Sequence, residues 1–137
     1  MTAYNFKPQF ATPIRAGTKI GTIRAPRKRH ARPGEAMQLY CGMRRKGCFK
    51  IIDDVTCLRV NEITFDVRVS DCPDLWAGSI LWSNGVPLQS VADLDAFAVS
   101  DGFADFAAMA AFWRQNHGDD IFHGVHIIWG IVRSEDK

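Results

Sequence analysis

The sequence lacks any long apolar run and any export signal. No hydrophobic stretch in its 137 residues approaches the ~20 residues that a membrane-spanning helix requires. Residues 1–5 also lack the charged-then-apolar order that is typical of a secretory signal peptide. We therefore expect a cytoplasmic protein without a membrane partner.

Cysteine motifs are lacking as well. The chain has four cysteines, Cys41, Cys48, Cys57 and Cys72. None belongs to a Cys-x-x-Cys pair, so in a cytoplasmic protein we expect reduced core thiols and no disulfide framework. His123 and His126 lie three residues apart in a predicted strand, which directs them to opposite faces. We expect neither a metal nor another cofactor, and the sequence has no glycine-rich phosphate loop and no nucleophile-elbow serine.

Acidic residues are almost missing from the first fifty positions. Glu35 is the only one there, against twelve Lys and Arg, which gives this part of the chain a formal charge of +11. The rest reverses the balance, with five basic and fourteen acidic side chains, or −9. Such polarity is typical of a protein that presents a basic face to a polyanion. An acidic protein surface is the alternative partner.

One stretch, residues 16–32, concentrates the polar chemistry. Lys19, Thr22 and Arg24 follow one another at spacings of three and two residues, at the exit of a short helix and along the next strand. Strand alternation puts Thr22 and Arg24 on one face, and a lysine in the preceding turn can join them. We predict that these three side chains converge on one ligand. The basic run that follows is expected to hold phosphates and consists of Arg27, Lys28, Arg29 and Arg32.

The remaining pattern predicts one α+β domain over residues 1–137. Strands are expected at 5–10, 20–24, 36–43, 48–52, within 55–69 and at 121–132. Turns are expected at 44–47 and at Asn84-Gly85, a strong hairpin signal. Five to seven short strands of this kind favour a small mixed barrel or curled sheet, with two helices covering its openings.

Two helices are predicted. The short N-terminal one takes Thr12 as its N-cap, Pro13 in its first turn and Gly17 as its C-cap. The only long one runs from Phe103 to Asn116 with a core-facing apolar stripe. Asp101 stands just ahead of the long helix, where a carboxylate commonly caps the first free N–H groups.

The order of these landmarks resembles the ASCH domain, a family of the PUA-like superfamily. The matching residues are Phe6, Phe10, the segments 16–19 and 22–24, Pro33-Gly34 before 38–40, the segment 101–103, Met109, Trp113 and the closing strand 122–129. The resemblance spans nearly the whole chain. It implies a PUA-like β-barrel with a cleft beside the turn of Lys19, and binding of RNA or of a nucleotide.

One branch of that family resembles an amidohydrolase of N4-acetylcytidine, with a lysine, a threonine and a glutamate as catalytic residues. The resemblance implies catalytic roles for Lys19 and Thr22, with Asp101 in the place of the glutamate and one methylene shorter. A threonine nucleophile needs a base, and a neutral lysine amine can serve. A ribonuclease with Lys19 or His30 as base is a further alternative. Because of the shorter acid, we expect binding before catalysis, with Tyr40 and Trp82 as candidates for stacking on a base.

Overall fold

The computed structural model describes residues 2–66, 81–88, 90–117 and 121–130. These residues form an α+β arrangement of eight strands and three α-helices. The strands are β1 (Thr2–Phe6), β2 (Gly21–Arg24), β3 (Ala36–Cys41), β4 (Phe49–Lys50), β5 (Val55–Asp66), β6 (Leu81–Ser83), β7 (Val86–Leu88) and β8 (Ile121–Gly130). The helices are α1 (Ala11–Ala16), α2 (Val91–Ser100) and α3 (Phe106–His117), with a 3₁₀ turn at Pro8–Phe10 before α1.

Strand β5 is the centre of the sheet. One of its edges pairs with β8 along nearly its whole length. Its other edge pairs with β3 near the start and with β6 near the end. Beyond these neighbours, β8 pairs with β2, β3 pairs with β4 and, in parallel, with β1, and β6 pairs with β7. Between the described strands no ladder joins β1 to β2, so the sheet is not closed and the predicted barrel is not shown.

A side chain bridges the gap between β1 and β2. Nη2 of Arg24, the last residue of β2, donates to the backbone oxygen of Asn5 on β1 at 2.7 Å. The guanidinium of Arg24 also lies over the rings of Tyr4 and Phe6, 5.3 and 4.8 Å from their centroids. Cation–π and hydrogen-bond contacts therefore hold the two strands beside each other where a barrel would have backbone pairing.

The N-terminal helix ends where the sequence predicts but begins earlier. Gly17 has a left-handed φ of 81° and donates its N–H to the oxygen of Ile14, which confirms it as the C-cap. The N-cap is Phe10 and Thr12 lies inside the first turn, so the predicted cap is wrong. Strand β1 also stops at Phe6, because Pro8 opens the 3₁₀ turn, and the strand predicted for 5–10 is wrong beyond its first two residues.

The second half of the chain has two helices where the sequence predicted one. The hydroxyl of Ser90 caps α2 by accepting from the N–H of Asp93 at 3.0 Å. The prediction missed α2 because its Ala-rich and Val-rich sequence gives little contrast between its two faces. Asp101 is the C-cap of α2, so its predicted role as N-cap of the long helix is wrong. The apolar stripe of α3 is buried as expected, at Phe106, Met109, Ala110 and Trp113.

Two hydrophobic clusters fill the interior. One lies around β1, β3 and the start of β5, and the other packs α2 and α3 against β5 and β6. Cys41 and Cys57 are buried as predicted, whereas Cys48 is exposed because it lies in the turn before β4. Cys72 lies outside the described residues. The Asn84-Gly85 hairpin is confirmed, with φ angles of 51° and 77° between β6 and β7. Among the described helices, none has the length and apolar character needed to span a bilayer.

A candidate ligand cleft beside Lys19

A cleft of about 290 Å³ opens beside the bridge between β1 and β2. Its wall includes Lys19, Thr22 and Arg24, so the three side chains that were expected to share a ligand line the same cleft. Asp101 lines it from the end of α2, and α3 contributes aromatic rings to the lining. The volume lies near the lower end of the roughly 300–1,000 Å³ of small-molecule sites. The cleft therefore suits a ligand of the size of one nucleoside.

Lys19 is buried at the floor of this cleft, with 3% of its surface exposed. Its Nζ donates to the backbone oxygens of Gly21 at 2.7 Å and Asp101 at 2.5 Å. A third contact, at 3.3 Å, joins Nζ to Oδ1 of Asp101. An ammonium has three N–H groups, so these three oxygens satisfy all of them. Lys19 thereby ties β2 to the C-terminus of α2, where a positive charge complements the helix dipole.

The Lys19–Asp101 pair has opposed electrostatic influences. Burial disfavours both charges, which lowers the pKa of Lys19 below its ordinary value and raises the pKa of Asp101 above its own. The attraction between the two charges opposes both shifts, and nearby Arg24 acts on both groups in favour of a neutral lysine and an ionised carboxylate. A lysine with a lowered pKa releases a proton more readily than a surface lysine.

Thr22 and Arg24 contact each other and leave Lys19 aside. The Thr22 hydroxyl is buried and accepts from Nε of Arg24 at 3.0 Å. With the bond from Nη2 to Asn5, two of the five guanidinium N–H groups of Arg24 donate to protein acceptors in the described part of the chain. Burial lowers the pKa of Arg24 to about 10, so the side chain keeps its charge at neutral pH. Arg24 therefore keeps three guanidinium N–H groups that a ligand in the cleft can use.

Aromatic rings form much of the cleft wall, and they are not the two rings that the sequence suggested for stacking on a base. Phe10, Phe103 and Phe112 contact one another edge to face or tilted, with centroids 5.2 to 5.5 Å apart. The candidates for stacking, Tyr40 and Trp82, are half-buried and do not line this cleft. The available signal was position, because Phe10 ends the first predicted strand and Phe103 directly follows Asp101-Gly102.

The basic loop, defined here as Arg27, Lys28, Arg29 and Arg32, lies beside the cleft and does not line it. All four side chains are exposed. Arg27 lies over the ring of Tyr4 at 4.6 Å from its centroid, and Arg29 forms an ion pair with Glu35. The predicted phosphate-binding residues are thus accessible, and they begin three residues after the Arg24 that borders the cleft.

His30 fastens the basic loop to β1. The Tyr4 hydroxyl contacts Nδ1 of His30 at 2.9 Å and accepts from the N–H of Ala31 at 3.0 Å. Nε2 of His30 lies 2.8 Å from the oxygen of Ala25 and donates to it, so in the neutral imidazole Nδ1 accepts from the tyrosine hydroxyl. Both ring nitrogens of His30 therefore form hydrogen bonds within the protein. This arrangement does not favour His30 as the catalytic base of a ribonuclease, the alternative that the sequence left open.

No group of three His, Cys, Asp or Glu side chains that fits a metal ion occurs within residues 2–66, 81–88, 90–117 and 121–130.

His126 is buried on β8, and among the described residues its Nε2 has no hydrogen-bond partner. Its ring packs on Phe97 with centroids 4.7 Å apart. Burial, together with the charges of Lys19 and Arg59, lowers the pKa of His126 to about 4.

Comparisons of the chain with protein-family models, with curated proteins and with solved structures find no match.

Proposed function

We propose that this chain is an ASCH-type module of PUA-like architecture that binds a nucleotide, or one unpaired nucleotide of an RNA, in the cleft beside Lys19. One observation carries the proposal. Arg24 borders a nucleoside-sized, aromatic-walled cleft with guanidinium donors left over, and the exposed basic loop begins at the same border. The order of sequence motifs, which resembles that of the ASCH family, supports the same proposal.

The parts of a nucleotide match the parts of the cleft. Phe10, Phe103 and Phe112 line the cleft and offer aromatic contacts to a flat base, as in proteins that bind single-stranded nucleic acid. The guanidinium of Arg24 offers paired N–H donors, which suit a carbonyl or a phosphate. Arg27 and Lys28 follow closely in the sequence, are exposed and suit phosphates outside the cleft.

The experiment measures binding of uridine monophosphate and of octauridylate to the purified protein by calorimetry. Arg24→Gln should weaken the binding of both by about tenfold, which corresponds to roughly one charge-assisted hydrogen bond. Arg59→Gln is the matched control, because Arg59 is an exposed arginine on β5 that does not line the cleft. Absence of binding to either compound, or equal losses in the two variants, would contradict the proposal.

A second candidate, hydrolysis of N4-acetylcytidine, is favoured by the contact between Asp101 and Lys19. This contact brings an acid beside a lysine of lowered pKa, with Thr22 in the same cleft. In that reaction the Thr22 hydroxyl would attack the acetyl carbonyl and Lys19 would accept its proton. The N4–acetyl bond would break as Lys19 returns that proton to N4, which frees cytidine, and water would then hydrolyse the acetyl-threonine ester to release acetate and restore the Thr22 hydroxyl.

Binding remains the first proposal because protein oxygens already accept from the N–H donors of Lys19. Its Nζ donates to three oxygens of Gly21 and Asp101, and the Thr22 hydroxyl is engaged by Arg24 instead. Mass spectrometry of N4-acetylcytidine incubated with the protein tests the alternative. Release of cytidine by the parent protein, abolished by Thr22→Val, would favour the hydrolase. If N4-acetylcytidine stays intact, hydrolysis is rejected and binding is the proposed function that stands.

A further inference from the structure

The exposed cations of the basic loop are not the only ones near the cleft. The turn between β3 and β4 carries three consecutive cations, Arg44, Arg45 and Lys46, which we call the basic hairpin tip. All three are exposed, and in the described part of the chain none of their side chains forms an ion pair or a hydrogen bond with the protein. By contrast, Arg27 and Arg29 of the basic loop are each engaged by protein groups.

Asn5 connects this hairpin tip to the cleft. Asn5 lines the cleft, and its backbone oxygen accepts from Nη2 of Arg24 at 2.7 Å. Its side-chain Oδ1 accepts from the N–H of Met43 at 2.9 Å, which holds the start of the turn against β1. Consecutive Cα atoms are about 3.8 Å apart, so the Cα atoms of the three residues after Met43 lie within about 11 Å of the Met43 Cα. The turn itself is well defined, because Arg45 N–H donates to the oxygen of Gly42 at 3.1 Å.

The cleft therefore has two separate groups of cations near it, both attached to β1. The basic loop is attached through Tyr4, which contacts Arg27 and His30. The hairpin tip is attached through Asn5, the next residue along the strand. A mononucleotide carries its negative charge on one phosphate and can contact only one of these two groups of cations. A polynucleotide carries a phosphate at each step on either side of a bound base.

From this arrangement we propose that the hairpin tip contacts phosphates of the ligand, and that the ligand is a single-stranded RNA that extends out of the cleft to both groups of cations. Arg45 and Lys46 supply the contacts in one group, and the basic loop supplies them in the other. This inference rests on the proposed nucleotide site and adds the class of ligand, a strand instead of a free nucleotide. Cations that neutralise phosphates without contacting base edges bind independently of sequence.

The test uses Arg45→Glu, Lys46→Glu and the double variant in the full chain. Arg44 is kept, because its φ of 66° is left-handed and a substitution there adds a backbone effect. Arg59→Glu has the same charge change on β5, outside the cleft, and serves as the matched control for each single variant. Circular dichroism checks that each variant is folded, and binding of uridine monophosphate and of octauridylate is measured at several salt concentrations.

We expect the double variant to bind uridine monophosphate like the parent and octauridylate at least about tenfold more weakly. The slope of log affinity against log salt should fall by about 0.7 for each phosphate that the variant no longer neutralises, as for single strands. Octauridylate binding with the parental affinity and slope, or an equal loss of uridine monophosphate binding, would overturn the role of the hairpin tip alone. A parent protein that binds neither compound would overturn the proposed function and this inference together.

Discussion

Lys19 is a buried cation and Arg24 a half-buried cation of the same cleft, and the two differ in how many of their N–H donors already bind protein oxygens. Three oxygens of the protein accept from the ammonium of Lys19. The guanidinium of Arg24 makes two hydrogen bonds and lies over two aromatic rings. Because a satisfied cation has no donor for a ligand without breaking a protein contact, Lys19 is suited to holding the cleft together. Arg24 is suited to binding.

The largest expected effect is on the stability of the Lys19 variant. Lys19→Met leaves the Asp101 carboxylate buried without its partner, and breaking a buried pair in this way typically costs about 3–5 kcal/mol of unfolding free energy. Urea denaturation measures this decrease. Arg24→Met should destabilise less, because the guanidinium is closer to solvent, and should mainly weaken ligand binding. Equal destabilisation by the two variants would break the distinction between them.

A double variant sharpens the same comparison. Lys19→Met together with Asp101→Asn removes both charges, so its loss of stability should be smaller than the sum of the two single losses. Gln38→Ala on β3, away from this pair, gives the additive reference when combined with Lys19→Met. Additive losses for Lys19 and Asp101 would mean that the 3.3 Å contact contributes little to the fold.

The contrast between the two cations explains which parts of the site were predictable. Strand alternation placed Thr22 and Arg24 on one face, and the turn before the strand allowed Lys19 to join them, so local pattern was enough for the convergence. The partners of Lys19 depend on where α2 ends. Since the sequence pattern did not reveal α2, Asp101 was assigned to the wrong helix end, and its contact with a residue 82 positions away was not predicted as a structural tie.

The same limit applied to the fold. Short-range signals such as Asn84-Gly85 and Gly17 predicted their turns correctly, because each depends on its own backbone conformation. The contact between β1 and β2 is made by the Arg24 side chain to a residue 19 positions away, and no ladder among the described strands closes the sheet into the predicted barrel. Cys48 is exposed for a related reason, since burial depends on the whole fold and not on residue type.

A smaller effect on the free energy of unfolding is expected from His126, a buried residue whose charge depends on pH. Its pKa of about 4 lies below the ordinary 6.5, so between these pH values the unfolded chain binds a proton that the folded chain excludes. The stability contributed by neutral His126 is complete above pH 6.5 and is lost as the pH falls towards 4. At about 1.36 kcal/mol for each pKa unit, the loss is about 3 kcal/mol at most.

The check compares urea unfolding of the parent and of His126→Phe from pH 7 to pH 4. The phenylalanine keeps a ring against Phe97 and cannot take up a proton. The difference in unfolding free energy between the two proteins should change with pH in this window, because other titrating groups are shared. A difference that stays constant would mean that His126 takes up its proton as readily in the folded chain as in the unfolded chain, and that burial and the charges of Lys19 and Arg59 do not lower its pKa.

The smallest effect separates two neighbouring cations of the basic loop. Arg27 lies over the ring of Tyr4, and an exposed cation–π contact of this kind contributes about 0.5–1 kcal/mol. Lys28 has no such contact within the described residues, so Arg27→Met should lower the urea midpoint slightly and Lys28→Met should leave it unchanged. Both variants should weaken octauridylate binding to a similar extent, because each removes one positive charge next to the cleft. A loss of binding that followed stability, large for Arg27 and absent for Lys28, would mean that the loop positions β1 and does not contact phosphate.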